Sequence, residues 1–396
     1  MITTGNKGMQ PGDITVLAPI VSSGSAASLA FTAAGSVSLK VSITLGSGGN
    51  LIVSASGPVS QTAALTVPGA SVLSSGTSIT LTQTNQLIGA ITFDSAGAMT
   101  QTGALNVGGA ASFTAGANPI ALLHSNQVTA ATFNNGLRND AAFRSATSLQ
   151  LGFSAIGANL ILIANGAISQ SGPLVVPGTS SFSAVGNILL TQGNQFVGAA
   201  SFNTGGPYDV SLSNARSTVM GASSIGRDLV VTSSGPIAQV GILSVGRTAS
   251  FTGGSTSLTQ ANQFSNRVDL ASSPPTSDVS LVNAIPLILG ASTIGRNLAL
   301  SVPADSTITL TGNVSASLSL TLPAPVSLSD YLSSPRSLPT RSNQRSRPSM
   351  AGLTRKGRPP ARGSTGAPRP SMVPALRSRT SATARSAYPS APRSAI

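Results

Sequence analysis

"LTQGNQFVGAASF" occupies Leu190–Phe202. Nearly the same words stand at Leu81–Phe93, "LTQTNQLIGAITF", and at Leu258–Leu270, "LTQANQFSNRVDL". Such recurrence is the signature of a repeat architecture, in which one supersecondary unit is stacked on copies of itself. Other landmarks keep the same step. Phrases ending in glutamine fall at Gln61 (GPVSQ), Gln101 (GAMTQ), Gln170 (GAISQ) and Gln239 (GPIAQ), the last three evenly spaced with a period of 69. Phe113, Phe182 and Phe251 follow at the same interval, as do the "IGxNL"-type phrases beginning at Ile156, Ile225 and Ile294. The "NQ" phrase stands at Asn85, Asn126, Asn194 and Asn262, with its last two steps at 68. The first unit is shorter, since the step from Gln61 to Gln101 is only 40.

Inside each unit, short runs alternate apolar and polar residues: "SITLTQ" at 78–83, "NLILIA" at 159–164, "DLVVTS" at 228–233. Gly, Pro or Asn punctuates them. Period two with frequent turn residues reads as strands, one face inward and one to water. Composition agrees. Charged residues make up 8% of the 396-residue chain, and all nine acids are Asp. Without Glu and with few Lys, the chain lacks the material of helix surfaces and is rich in that of strands and turns. We therefore expect an all-β fold, a parallel β-helix (β-solenoid) over residues 1–330 built from repeat units of period 69. Each unit divides into three coils of about 23 residues, giving about fourteen coils and a rod of roughly 65 Å at the usual strand spacing. In that picture Asn85, Asn194 and Asn262 are turn residues at one recurring corner, and Phe113, Phe182 and Phe251 line up along one buried seam.

The formal charge of +13 is unevenly placed. Residues 1–330 hold nine basic and nine acidic side chains, whereas 331–396 hold thirteen basic ones and no acid. The language changes there to "SSPRSLPTRSNQRSRPSMAGLTRKGRPPARG", a Pro/Arg/Ser-rich segment that cannot bury a core and reads as a disordered basic tail. Three readings of it stay open: a solvated tail, a non-specific polyanion binder, or text read out of frame. Its two tyrosines, Tyr331 and Tyr388, are few for stacking on bases, so nucleic acid is disfavoured as a partner.

Chemistry is sparse. The chain has no cysteine, and its sole histidine, His124, stands where other units carry Gln83, Gln192 and Gln260. A thiolate site or a histidine-based acid–base constellation cannot be assembled. The aspartates lie at 13, 94, 140, 209, 228, 269, 278, 305 and 330. Asp209 and Asp278 keep the same register, and stacked three coils apart they would stand ~14 Å from one another, too far for the paired carboxylates of glycoside hydrolysis. Asp228 beside Arg227 reads as a solvated turn pair. Arg227 and Arg296 share a repeat position and read as exposed turn arginines or as a weak anion-binding stripe. "GSGGN" at 46–50 has no following helix or lysine and is no phosphate loop. We expect no catalytic, cofactor-binding or metal-ligating residues, no cofactor and no enzyme. The N-terminal segment "MITTGNKGMQPGDITVLAPI" reads as no signal peptide, and no apolar run is long enough for a membrane helix.

The phrases "GDITVLAPI" (12–20), "LAFTAAGSVSL" (29–39), "GGNLIVSASGPVSQTAALTV" (48–67) and "GAISQSGPLVVPGTSSFSAVGNILLTQGNQFVGAASF" (166–202) resemble the repeats of filamentous-haemagglutinin-type exoproteins, the secreted members of two-partner secretion systems. The resemblance covers about residues 10–328 and rests on repeat style. It implies a parallel β-helix exported through an outer-membrane transporter partner. It also implies a secreted or cell-surface location and an adhesive role toward host or cell-surface glycans and proteins. The chain resembles a fragment of such a protein, lacking its signal peptide and secretion domain. Two other functions compete with the non-catalytic adhesive shaft: a carbohydrate-active β-helix enzyme, and polyanion or nucleic-acid binding through the basic tail.

Overall fold

The computed structural model describes residues 1–5, 8, 12–316, 319–321 and 326–327, the last two stretches by backbone alone. The described residues belong to one compact unit, Met1–Arg341. The basic segment 331–396 lies outside them. All regular structure described is β-strand, and the strands pair in parallel. The chain winds as a parallel β-solenoid of about 15 turns.

One coil shows the rule. Asn50–Ala55, Val59–Gln61 and Leu65–Val67 are strands on three successive faces. The next coil repeats them as Ser71–Ser75, Ile79–Leu81 and Asn85–Leu87. Leu51 pairs with Ser71, Val59 with Ile79 and Thr66 with Gln86. Each strand alternates buried and outward residues, as in Ile91–Ser95, where Ile91, Phe93 and Ser95 are buried and Thr92 and Asp94 exposed. No coil buries its apolar face alone; stacking joins the faces into one interior. Phe93, Phe113 and Phe133 stack there with ring centroids 5.5 and 5.3 Å apart. Each such buried ring contributes ~1.5–3 kcal/mol, and each ring pair ~0.5–1.5 more.

The coil is shorter than the sequence period suggests. Leu73, Phe93, Phe113 and Phe133 pair in successive coils, a period of 20. One repeat unit is therefore three coils plus about nine residues, about half a coil, rather than three longer coils of equal size. Gln61 and Gln101 stand in one ladder, and from Gln101 on each recurrence of the Gln and NQ phrases lands about half a turn further round, Gln170 on the other side and Gln239 back on the first. The three phenylalanines show it. Phe113 stands in the ladder Phe31–Val53–Leu73–Phe93–Phe113–Phe133. Phe182 stands in Leu122–Phe143–Leu162–Phe182–Phe202. Phe251 stands in Leu190–Leu212–Val231–Phe251–Leu270. All three are fully buried, but they do not form the single seam expected of them: the Phe251 ladder runs back through Leu151 and Ala131 onto the strand face that holds Phe113, and Phe182 lies on the other side of the interior.

A specific event moves the pattern round. At Leu122–Asn126, Leu190–Asn194 and Leu258–Asn262 the chain bulges outward by three exposed residues. The following coil crosses the same gap with one residue, Arg144, Ser213 or Val282. A corner is erased there, and a short strand becomes the five-residue strands Ala141–Ser145, Val210–Asn214 and Val279–Asn283. A new corner is inserted on the neighbouring face at Gly152, Gly221 and Gly290, where Ala131 pairs with Leu151 but Asn134 with Ala155. A Cβ at Gly152 would come within 2.6 Å of Thr132 Cγ2, and at Gly221 it would collide with Ser201 Oγ. The side chain of the coil above folds over that glycine. The backbone N–H groups left open there are taken by serine. Ser154, Ser223 and Ser292 Oγ accept from Phe133, Phe202 and Leu270 N at 3.0, 3.0 and 3.2 Å.

Candidate functional site

The sequence landmarks prove to be two halves of one buried clasp. Gln61, Gln101, Gln170 and Gln239 each meet an asparagine one coil on, and both amides reciprocate. Gln101 Nε2 donates to Asn126 Oδ1 at 2.8 Å, and Asn126 Nδ2 to Gln101 Oε1 at 3.0 Å. The same exchange joins Gln61 to Asn85 at 3.0 and 3.3 Å, Gln170 to Asn194 at 2.6 and 3.1 Å, and Gln239 to Asn262 at 2.8 and 2.9 Å. Each asparagine Oδ1 also accepts a backbone N–H, from Leu65, Leu105, Leu174 or Leu243. All four asparagines are completely buried. They are therefore not left-handed turn residues: among the described residues, those with positive φ other than glycine are Ala26, Arg138 and Asp305. Burying an amide is tolerated only when its donors and acceptors are met, which fixes both residue types and their spacing. Asn126, Asn194 and Asn262 sit at the bulge itself, whereas Asn85 pairs onward with Leu105 without a bulge, in keeping with the short first unit.

Charged residues gather at a different corner. Asp140, Asp209 and Asp278 each precede a five-residue strand, and each Oδ1 accepts the N–H of the next coil, from Asn159, Asp228 and Asn297 at 3.0, 3.2 and 3.0 Å. Asp140 belongs to the same evenly spaced series as the other two, a member that the pairwise reading of Asp209 and Asp278 passed over. Nor do Asp209 and Asp278 stack three coils apart; Asp140 and Asp278 precede strands on one side of the rod, and Asp209 precedes a strand on the other. Arg227 clamps Asp209 with both Nε, at 2.6 Å, and Nη2, and Arg296 clamps Asp278 in the same way, with Nε at 2.8 Å. The two arginines form no stripe, because each is neutralised by the coil before it. Asp228 is held by Thr248 N and Oγ1 at 2.9 and 2.7 Å, with Arg247 Nη1 3.7 Å away.

This corner brings two carboxylates, Asp209 and Asp228, into successive coils, closer than their scatter in the sequence suggests. Glycoside hydrolysis needs one of such a pair to carry a proton. The Arg227 guanidinium holds the Asp209 carboxyl below the usual carboxylate range. Burial raises Asp228, but the hydrogen bonds from Thr248 outweigh it and leave its carboxyl lowered as well. Arg296 takes Asp278 down to about 2. The arrangement holds carboxylates ionised and bonded to backbone, which suits a structural strap.

The remaining candidates stand apart. His124 is exposed on the first bulge, and Gln83, Gln192 and Gln260 are exposed at their matching positions. Gly48 in "GSGGN" takes a positive φ of 69° at a coil corner, where Asn50 Oδ1 accepts Ala70 N at 2.8 Å. An open depression of about 520 Å³ beside the last inserted corner is lined by Arg267, Asp269, Ser292, Thr311 and Asn313 among others. Among the described residues, no three His, Cys, Asp or Glu side chains gather where a metal ion could be held, and no helix is long and apolar enough to cross a membrane.

A family model described as repeats of unknown function (DUF5649) matches residues 18–94, 87–134, 138–203 and 208–271. The chain belongs to this repeat family. The last two matches begin at 138 and 208, so each takes in one clasp, one bulge and one strapped aspartate. The boundaries between them fall in the loops that precede Asp140 and Asp209. No curated protein and no solved structure matched the chain.

Proposed function

We propose that the solenoid is a non-catalytic adhesive shaft of a secreted or surface-exposed bacterial exoprotein, delivered by an outer-membrane transporter partner and contacting host or cell-surface glycans and proteins. The observation that carries this reading is the commitment of the repeated polar residues to holding coils together. The glutamine, asparagine, serine and aspartate landmarks are spent on clasps, corners and straps, and what faces outward is chiefly a lattice of short hydroxyl side chains such as Thr92, Ser112 and Thr132. A rod of this kind offers many equivalent shallow contacts.

Two measurements test it. Beads coated with the folded protein should bind cells more strongly than beads coated with the same protein after denaturation; equal binding removes the adhesive reading. Incubation with a panel of plant, fungal and bacterial polysaccharides should release no reducing ends; sustained release that Asp209→Asn or Asp228→Asn abolishes would replace the shaft with a carbohydrate-active enzyme.

A further inference from the structure

The first bulge departs from the others at two places, and strand pairing brings both departures to one spot. The second and third bulges expose Thr191-Gln192-Gly193 and Thr259-Gln260-Ala261, opposite Ser213 and Val282. The first exposes Leu123-His124-Ser125, and the residue bridging the gap opposite it is Arg144. Phe143 and Ser145 on either side of Arg144 are buried, so its side chain leaves on the outer surface, the same surface from which the bulge projects. The chain's sole histidine and an arginine that no other bulge has thus meet at a single register position.

Arg144 differs from Arg227, Arg247, Arg267 and Arg296, which all pair with aspartates. No carboxylate lies in ion-pair range of Arg144 among the described residues. Its Nε is shielded from solvent and has no hydrogen-bond partner. A shielded guanidinium N–H without an acceptor is unfavourable, and a planar donor fork matches an oxyanion. We propose that Arg144, with His124 and the bulge Leu123–Ser125, forms a binding site for one oxyanion: a phosphate, sulfate or carboxylate group. The site stands apart from the adhesive reading, being one place on the rod and not the repeated surface.

A single histidine makes the test direct, because its Cε1–H and Cδ2–H signals are the only imidazole signals of the chain. The intact protein is titrated with inorganic phosphate, sulfate and acetate at constant ionic strength held with sodium chloride, and the His124 imidazole shift is followed by NMR. Saturable movement with at least one of the three is expected. Which anion binds tighter separates a tetrahedral oxyanion from a carboxylate. Arg144→Ser, which installs the residue that the next unit carries at this position, should weaken that anion at least tenfold while leaving the far-ultraviolet circular dichroism unchanged. His124→Gln, followed through the guanidinium Nε–H resonance of Arg144, should weaken it less. Shifts that never saturate with any of the three, or that are the same in Arg144→Ser, overturn the site.

Discussion

Replacing Asn194 by alanine tests whether the clasp holds the coils. The side chain is fully buried, and its Oδ1 accepts Leu174 N at 2.9 Å and Gln170 Nε2 at 2.6 Å. Its Nδ2 faces Gln170 Oε1, Leu190 O, Gln192 O and Ser213 O between 2.9 and 3.1 Å. Truncation strands the Leu174 N–H and one edge of the Gln170 amide, and each stranded group costs ~1–3 kcal/mol. The expected loss is about 4 kcal/mol, read from urea unfolding followed by circular dichroism. Gln170→Ala removes the same reciprocated pair from its less buried side and should cost about 2 kcal/mol. The double variant should then lose less than the sum by about 1–2 kcal/mol, because the second truncation removes a partner already gone. In a stacked repeat the damage is local, so amide exchange should rise first in the coils around residues 170–214. A loss under about 1 kcal/mol for Asn194→Ala, or additivity within ~0.5 kcal/mol, would show that the landmark pair does not carry the coil contact.

Other substitutions probe the core, the corners and the straps. Phe113→Ala removes the middle ring of the Phe93–Phe113–Phe133 stack and should cost ~3–5 kcal/mol by denaturant unfolding. Gly221→Ala places a Cβ against Ser201 Oγ and should cost ~1–3 kcal/mol. Gly193→Ala, where a Cβ meets nothing within 4 Å and the next unit already has Ala261, should leave the urea midpoint unchanged. The strap at Asp278 predicts a pH dependence. Its carboxyl titrates at about 2 when folded, below the unfolded value, so its stabilisation is complete above the unfolded range near pH 4 and is lost as the pH falls toward 2. Arg296→Gln should therefore lower the thermal midpoint at neutral pH, with the gap to the parent protein closing below about pH 2; a gap that persists there would show that Arg296 acts through packing instead.

The all-β solenoid was legible because its causes are local. Alternation in "NLILIA", turn residues at each corner and the absence of Glu all constrain a strand directly. The coil length was not legible in the same way. Backbone pairing sets it at the interval from Phe93 to Phe113, but any outward Ser or Thr can occupy most positions of a coil, so the sequence leaves the coil unmarked. What it marks are positions where only one residue type closes a buried hydrogen-bond set. The amides of Gln170 and Asn194, the hydroxyl of Ser223 and the hydrogen at Gly221 recur because each answers a demand made once per bulge. Their interval is thus the spacing of bulges, and reading it as a multiple of the coil put the phenylalanines on one seam. The polar site residues were misread for a related reason. Asn85, Asn194 and Asn262 stand next to exposed Thr and Gln, and a polar neighbourhood reads as surface until the partner glutamine, 23 to 24 residues earlier, is placed beside it.

The mismatch between unit and coil shapes what the rod can present. Were the unit a whole number of coils, every bulge would fall on one face, and a flat partner could engage them all. With about nine residues left over, each unit advances by about half a turn, so Asp140 and Asp278 stand on one side of the rod and Asp209 on the other. The marks return to the first side after two units. A flat surface laid against the rod therefore meets one bulge and one loop in two, while the hydroxyl rows between bulges are offered on every side. Contacts made through the repeated rows are then insensitive to how the rod is rotated about its axis, and contacts made through an individual bulge are not. The oxyanion site at Arg144 belongs to the second kind. Shortening the chain by one full repeat unit keeps every clasp matched but turns all that follows by about half a turn, whereas removing three whole coils keeps the faces and breaks the clasps. The first deletion should fold with an unchanged coil and the second should not, because in this chain the buried amides, and not the count of coils, decide where the pattern can be cut.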